Sequence, residues 1–350
     1  MTDVMSQGSM RAMIVAKFGG QPQLVEVPKP VPVADEVLLR VRAAGVCHTD
    51  MKIRDGFVPG VSLPLTLGHE IAGEVEAVGP DVQGVAVGGR GVPYGYVTCG
   101  VCRYCTSGRT SLCIDLGIRY GFGPVGGYSE YVLVPERLFV PIPDEVGLDE
   151  AAVASCSLVT PYHALVKRAR LRMGEIVVVI GAGGGVGLHA VQLAHRMGGY
   201  VIAVDADPNR RDHVMEQGAN LFLVPGEAGF ASTVLEATDG QGADVAIDIV
   251  ASESTMTDAV HSLASGGRLA LVGYHPEVPF SGSTPEIVFR EIDILGSHWA
   301  TINDVVEVIE MIARGIVSPI IVREYPLEEA SEALELLASG GGPGRSVLRV

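Results

Sequence analysis

Between Glu175 and Ser297 the chain repeats one pattern: a short apolar run, a turn, a helical stretch, then another apolar run. EIVVVI at 175–180 is apolar without interruption, as a strand buried on both faces must be. GAGGGVG at 181–187 follows and leads into the helical stretch LHAVQLAHRM. YVIAVD at 200–205, NLFLV at 220–224, ADVAIDI at 243–249, GRLALVG at 267–273 and DILGS at 293–297 continue the series. Helical segments separate them; PNRRDHVMEQG, for example, opens on Pro208 and closes on Gly218. Six strands joined by crossovers point to a doubly wound parallel sheet, so the fold class is α/β.

The glycines of the first turn bear on function. Gly181, Gly184 and Gly187 let a backbone turn tightly and approach a pyrophosphate, whose charge the following helix N-terminus meets. Gly185 and Val186 lie in the same turn. The spacing G-x2-G-x2-G is one residue longer than the usual dinucleotide fingerprint, but Asp205 ends the second strand 18 residues after Gly187. An acidic side chain there holds the ribose hydroxyls and repels a 2′-phosphate, which favours NAD over NADP. Arg210 and Arg211, just beyond, temper that preference slightly. A glycine-rich turn of an ordinary α/β domain, or a site for another adenosine cofactor, is the competing reading.

The amino-terminal part is different. From Met10 to about Val134, short β-branched or alternating runs (MIVAKF, LVEV, EVLLRVRAAG, EIAGEVEAVG, EYVLV) stand between Pro and Gly clusters, which suits a twisted sheet or partly open barrel. With 350 residues the chain is long enough for two domains. The β region carries Cys47, followed by His48, Thr49 and Asp50, and a second imidazole at His69, 22 residues on and next to Glu70. Thiol, imidazole and carboxylate are zinc-binding groups, but these make half a site. Thr49 and Asp50 also fit a turn or helix cap. Cys99, Cys102, Cys105 and Cys113 follow C-x2-C-x2-C-x7-C, a spacing that wraps one tetrahedral zinc with no open position, or alternatively an iron–sulfur cluster. Near 150 the run DEAAVASCSLVTPYHALVKRA has helical spacing, broken by Pro161, and contains the sixth cysteine, Cys156.

Charge and composition exclude several roles. A net charge of −16 leaves no basic face for nucleic acid or an anionic membrane, and no apolar run reaches the roughly 18 residues of a spanning helix. The first ten residues lack the basic and apolar regions of a secretory signal and are expected to form a tail. A cytoplasmic location follows as the expectation, and there six cysteines serve as thiols or metal ligands, not disulfides.

Taken in order, GVCHTD at 45–50, GHE at 68–70, the four-cysteine stretch, SCSLVTPYHAL at 155–165, GAGGGVG at 181–187 and GRSVL at 344–348 give the chain a specific likeness. It resembles the zinc-dependent medium-chain alcohol dehydrogenases, of the tetrameric microbial type, from about Arg11 to Val350. The resemblance implies a GroES-like β-barrel catalytic domain over 10–157 and 299–350 around a six-stranded Rossmann domain over 158–298. It implies two zinc ions per chain: one catalytic, on Cys47, His69 and Cys156 with Glu70 beneath, and one structural, on the four clustered cysteines. Asp50 matches the carboxylate that orients a zinc-bound imidazole, and Thr49 the hydroxyl that relays the substrate proton. His48 and Arg345 match contacts to the cofactor pyrophosphate, and Thr160 and Val186 match positions packed against the cofactor. Cys156 as third ligand separates the chain from the polyol dehydrogenase branch, and the two ligand sets use all six cysteines.

The implied activity is reversible hydride transfer between a primary or secondary, apolar alcohol and NAD, in a homo-oligomer. Phe57, Leu116, Tyr274 and Trp299 are candidate pocket walls. Two departures stand out: Lys52 occupies the place where many members carry the outer histidine of the proton relay, and Gly89 replaces the usual acid before Arg90. Competing functions are an NADH-dependent carbonyl reductase of the same family, a zinc-free quinone or enoyl reductase on the same plan, and a non-catalytic relative of the fold.

Overall fold

The computed structural model describes residues 8–280 and 282–350. Ser9 and Met10, expected in an amino-terminal tail, pair instead with Pro28 and Val27 as part of a strand, and residues 1–7 of that expected tail lie outside the described residues. The chain packs as two units, one running through Cys156 and including Thr301–Val350, the other formed by Ser157–Ala300.

In the first unit the β runs pair mostly antiparallel, Arg345–Arg349 and Ile321–Pro326 being a parallel pair. The larger has seven strands. Phe139–Pro141, Arg90–Pro93, Glu70–Val78, Glu36–Val46, Arg345–Arg349 and Ile321–Pro326 lie side by side, and Tyr131–Pro135 also pairs with Glu36–Val46. The smaller joins Gln23–Pro28, Ser9–Val15 and Leu65–Thr66. Alternation along the strands drives the layering: Met13, Val15, Ala44, Val46, Leu65, Leu67, Tyr128 and Leu348 share one buried core. Register then places the functional termini. Gly45 pairs with Glu70, and Ser346 with Val46, so Cys47, Glu70 and Arg345 emerge from neighbouring strands at one end of the sheet. The carboxy-terminal strand thus completes the sheet of the amino-terminal domain.

The second unit is a six-stranded, wholly parallel sheet. Its order is Leu221–Leu223, Tyr200–Val204, Ile176–Ile180, Ala243–Asp248, Leu263–Leu271, Asp293–Gly296. Val177, Val178 and Val179 are each 0 % exposed, worth roughly 1.5–3 kcal/mol apiece in burial. The order reverses between Ile176–Ile180 and Ala243–Asp248, and the glycine turn leaves the sheet at that crevice, where open α/β sheets take their ligands.

One expectation fails. Pro161 does not break the helical run: Leu148–Val153 is α-helical, Ala154–Leu158 widens into a π-turn, Val159–Tyr162 is α-helical again, and His163–Arg168 is a second π-turn. Pro161 falls in the first turn of the middle segment, where a missing N–H breaks no bond within that segment, and the wide turns on either side absorb the ring.

Candidate active site

Cys47 caps the short helix His48–Arg54 in extended backbone. The Asp50 carboxylate accepts the Cys47 N–H at 2.9 Å, and the Thr49 N–H points at Cys47 Sγ at 3.5 Å. Asp50 is therefore a cap, but not only that. Its other oxygen accepts from His69 Nδ1 at 2.9 Å and from Gly68 N at 3.3 Å, and the residue is 0 % exposed. A carboxylate can only accept, so Nδ1 carries a proton and Nε2 is the ring nitrogen that would face a metal.

Cys156 enters from the π-turn, and the donor atoms of Cys47, His69, Glu70 and Cys156 all lie within 4.8 Å of one another. A hydrogen bond from the Cys156 thiol pushes the Cys47 pKa well down despite burial, with Arg345 and His69 assisting; the same bond and burial push Cys156 up. Burial opposes charge on His69, but the Asp50 and Cys47 charges outweigh it and raise its pKa. Burial raises Glu70 to about 7, against the pull of Arg345. The Arg345 guanidinium, 4 % exposed, donates to Glu70 Oε1 at 2.7 Å and to Cys47 Sγ at 3.2 Å. Among the described residues, neither Glu70 Oε2 nor Arg345 Nε meets a hydrogen-bond partner. Two thiols and two carboxylates around so little buried positive charge make a pocket suited to a divalent cation. The donor set, thiolate with imidazole, is that of zinc.

The four-cysteine cluster fits zinc on its own account. Cys102 and Cys105 sulfurs are 3.6 Å apart, as are those of Cys99 and Cys113. That is far beyond a disulfide, and close to the roughly 3.8 Å edge of a tetrahedron with zinc–sulfur bonds of about 2.3 Å. Backbone N–H groups of Cys99 and Cys102 point at the Cys113 and Cys99 sulfurs, at 3.3 and 3.4 Å, as thiolates require.

In the second unit the glycines divide by role. A Cβ on Gly187 would lie 2.0 Å from the Gly181 carbonyl oxygen, and Gly181 has φ +80°; both are demanded by the turn itself. Gly184, which caps the helix Gly185–Arg196, could carry a Cβ in ordinary contact, 3.7 Å from the Gly181 carbonyl oxygen, with nothing nearer. Space of that kind at a helix N-terminus lets an anion approach. Val186 lies in the first turn of that helix and Thr160 is buried on the preceding helical run. Asp205 accepts N–H groups from Gly183 at 2.7 Å and Asp207 at 3.0 Å, so it clasps the glycine turn while its remaining lone pairs stay available. Arg210 folds over Gly183 and reaches Asp207 at 3.4 Å.

His48 is exposed at the start of its helix, and Thr49 beside it is half-buried. Lys52 is half-buried, which lowers its pKa against the opposing charge of Cys47. Phe57 and Tyr274 are exposed; Leu116 and Trp299 are half-buried, and Trp299 has φ +45°. Arg90, deprived of an acid at Gly89, donates instead to the carbonyls of Pro143, Asp144 and Val146. Sequence reading passed over three residues here. Phe122 lies with its ring 6.1 Å from that of His69, and Tyr96 packs edge-on against Phe122 at 6.2 Å. Tyr128 donates to Asp50. Lone aromatic residues in a β-rich stretch carry no signal of such contacts.

Two family descriptions match the chain: an alcohol dehydrogenase GroES-like domain at residues 33–144 and a zinc-binding dehydrogenase domain at 185–314. Together they define a two-domain dehydrogenase. An NAD-dependent alcohol dehydrogenase of Sulfurisphaera tokodaii is 35 % identical over 97 % of this chain and 99 % of its own. An alcohol dehydrogenase of Geobacillus stearothermophilus is 37 % identical over 97 % of this chain and 100 % of its own. Among solved structures, that of AibC superposes with a TM-score of 0.91 at 36 % identity, covering 100 % of this chain and 98 % of that one. The chain belongs to the zinc-dependent medium-chain alcohol dehydrogenase family.

Proposed function

We propose that the protein is a zinc- and NAD-dependent alcohol dehydrogenase that moves a hydride reversibly between a primary or secondary alcohol and NAD. The observation that carries the reading is the convergence of Cys47, His69, Glu70 and Cys156 donor atoms within 4.8 Å in a buried pocket. In this reading Cys47, His69 and Cys156 hold a catalytic zinc and Cys99, Cys102, Cys105 and Cys113 a structural one. Bound there, the catalytic zinc supplies Lewis acidity toward the alcohol oxygen.

The remaining work falls to the chain. Asp50 fixes the His69 tautomer, and Arg345 holds Glu70 beside the ligands. The Thr49 hydroxyl takes the alcohol proton outward, with Lys52 in the place of the usual histidine. Gly181–Gly187 receive the pyrophosphate, and Asp205 receives the ribose hydroxyls and disfavours NADP. The substrate is an apolar alcohol or its carbonyl product, and the enzyme works in the cytoplasm as a homotetramer. Among the described residues no helix is long and apolar enough to cross a membrane.

The test is metal analysis combined with assays of primary, secondary and cyclic alcohols against both cofactors. The expected result is about two zinc ions per chain and reduction of NAD in preference to NADP. Turnover that survives removal of zinc from the Cys47 site would sink the scheme.

A further inference from the structure

We infer that the Tyr128 hydroxyl positions the metal centre by holding the Asp50 carboxylate in register with His69. The inference rests on the reading of Cys47, His69 and Cys156 as zinc ligands. Asp50 accepts four donors. Cys47 N at 2.9 Å and Tyr128 Oη at 3.3 Å bind Oδ2, while His69 Nδ1 at 2.9 Å and Gly68 N at 3.3 Å bind Oδ1. Three of these donors belong to the ligand stretch 47–69 itself, so they shift whenever it shifts. Tyr128 comes from outside that stretch, 78 residues from Asp50 in the chain, and is anchored partly elsewhere.

Its place is set by contacts to two parts of the core. The Tyr128 backbone N–H donates to Leu67 O at 2.9 Å, and its carbonyl accepts from Met13 N at 2.8 Å. The side chain is 0 % exposed, and the ring lies so close to Gly68 that a Cβ there would come within 2.5 Å of a ring carbon. The hydroxyl is thus held by the core, the residue's backbone tied to Leu67 on one side and to the strand Ser9–Val15, which carries no ligand, on the other. A carboxylate swivels about its own terminal bond unless both oxygens are held. With Oδ2 pinned by Tyr128 and by the helix cap, Oδ1 keeps its line to Nδ1, and the imidazole keeps Nε2 presented for the metal. Full burial gives Tyr128 no route to substrate, so its role runs through Asp50 alone.

The experiment compares Tyr128→Phe, Asp50→Asn and the double variant as full-length, zinc-loaded protein. It follows zinc loss to a chelator, with the four-cysteine zinc as internal reference, and the ligand-field spectrum after cobalt replacement. Tyr128→Phe is expected to release the Cys47-site metal on the order of 10-fold more readily and to shift the cobalt bands. It should lower kcat while leaving the KM for NAD unchanged, and should add little in the Asp50→Asn background. Tyr128→Leu separates packing from positioning: its melting temperature should fall well below that of Tyr128→Phe, with the same change in metal release. Wild-type metal release and cobalt spectrum in Tyr128→Phe, an effect confined to Tyr128→Leu, or full additivity with Asp50→Asn would each overturn the inference. If Cys47→Ser retains all the zinc of the wild type, the ligand reading itself fails and the role of Tyr128 falls with it.

Discussion

Replacing Arg345 by Met should destabilise the catalytic unit more than any surface change. The guanidinium is buried against Glu70, itself 0 % exposed, with the 2.7 Å bond as its main anchor. Removing one member of such a pair strands a charge in low dielectric, at a cost of about 3–5 kcal/mol. For a unit of about 200 residues, each kcal/mol lowers the melting temperature by roughly 2–4 °C, so the drop should fall between roughly 6 and 20 °C. Calorimetry on protein of matched zinc content measures it. The double variant Glu70→Gln/Arg345→Met removes both charges and should melt above either single variant, because the desolvation penalty goes with them. The two cofactor and packing roles separate cleanly here. If Arg345 acted only on the pyrophosphate, Arg345→Met would raise the KM for NAD and leave the melting temperature alone. A single-variant loss under about 1 kcal/mol, or strict additivity in the double, would refute the reasoning.

Cys105→Ser should lower zinc from about two ions per chain to about one, reducing melting temperature while the Cys47-site zinc remains; metal analysis with calorimetry checks it. Gly187→Ala places a Cβ 2.0 Å from the Gly181 carbonyl and should destabilise the second unit and abolish NAD binding. Gly184→Ala, whose Cβ would make only an ordinary 3.7 Å contact at φ −81°, should stay within about 1 kcal/mol of the wild type in stability yet bind NAD more weakly, as fluorescence titration would read. In the second unit Arg268 grips Glu175 with both terminal nitrogens, at 2.9 and 2.8 Å. Burial works to raise the Glu175 pKa, but the hydrogen bonds and charge of Arg268 prevail and lower it. The folded state therefore binds that proton more weakly than the unfolded chain, so stability rises with pH through the range below the ordinary value of 4.5. Arg268→Met should flatten that acid-side slope in urea unfolding and cost on the order of 1 kcal/mol at neutral pH, because the pair is only half-buried.

The legible parts of the chain were those whose signal is local. A strand buried on both faces must be apolar throughout, so EIVVVI and its five successors announced the parallel sheet. Four cysteines within fifteen residues need no long-range contact to declare a closed cluster. The glycine turn was legible as a motif, though not the division within it, since only three-dimensional contact shows Gly187 blocked and Gly184 able to take a Cβ. The helical run at 148–168 was half legible: its apolar spacing was visible, but a π-turn shifts the period, and Pro161 reads as a stop unless the widened turns beside it are known. Least legible were the long-range pairs. Arg345 meets Glu70 across 275 residues of chain and Tyr128 meets Asp50 across 78, and neither residue type signals its partner. Asp50 was ambiguous between cap and imidazole partner for a physical reason: it is both, one oxygen for each task.

The two cysteine clusters show why the same ligand atom serves opposite ends. In the 99–113 cluster the sulfurs are met by backbone amides and by each other, and Cys99, Cys102 and Cys105 are only half-buried. Such a site needs nothing from the rest of the molecule, and four thiolates leave a tetrahedral ion no vacant position. Around Cys47 the balance is reversed. Two sulfurs and one imidazole make an incomplete shell, and everything about them is buried: Asp50, Glu70 and Arg345 are at most 4 % exposed. Burial makes each unpaired charge costly, so the chain answers with a helix cap, a carboxylate–imidazole bond and a guanidinium reaching from its last strand. The fourth donor within reach, Glu70, is held back by Arg345, and burial raises its pKa to about 7, which weakens it as a competing ligand. In the proposed scheme a carboxylate so restrained would leave room for a substrate oxygen at the Cys47 site. On the proposed reading, the buried ion pair is the feature that sets the Cys47 cluster apart from the four-cysteine one.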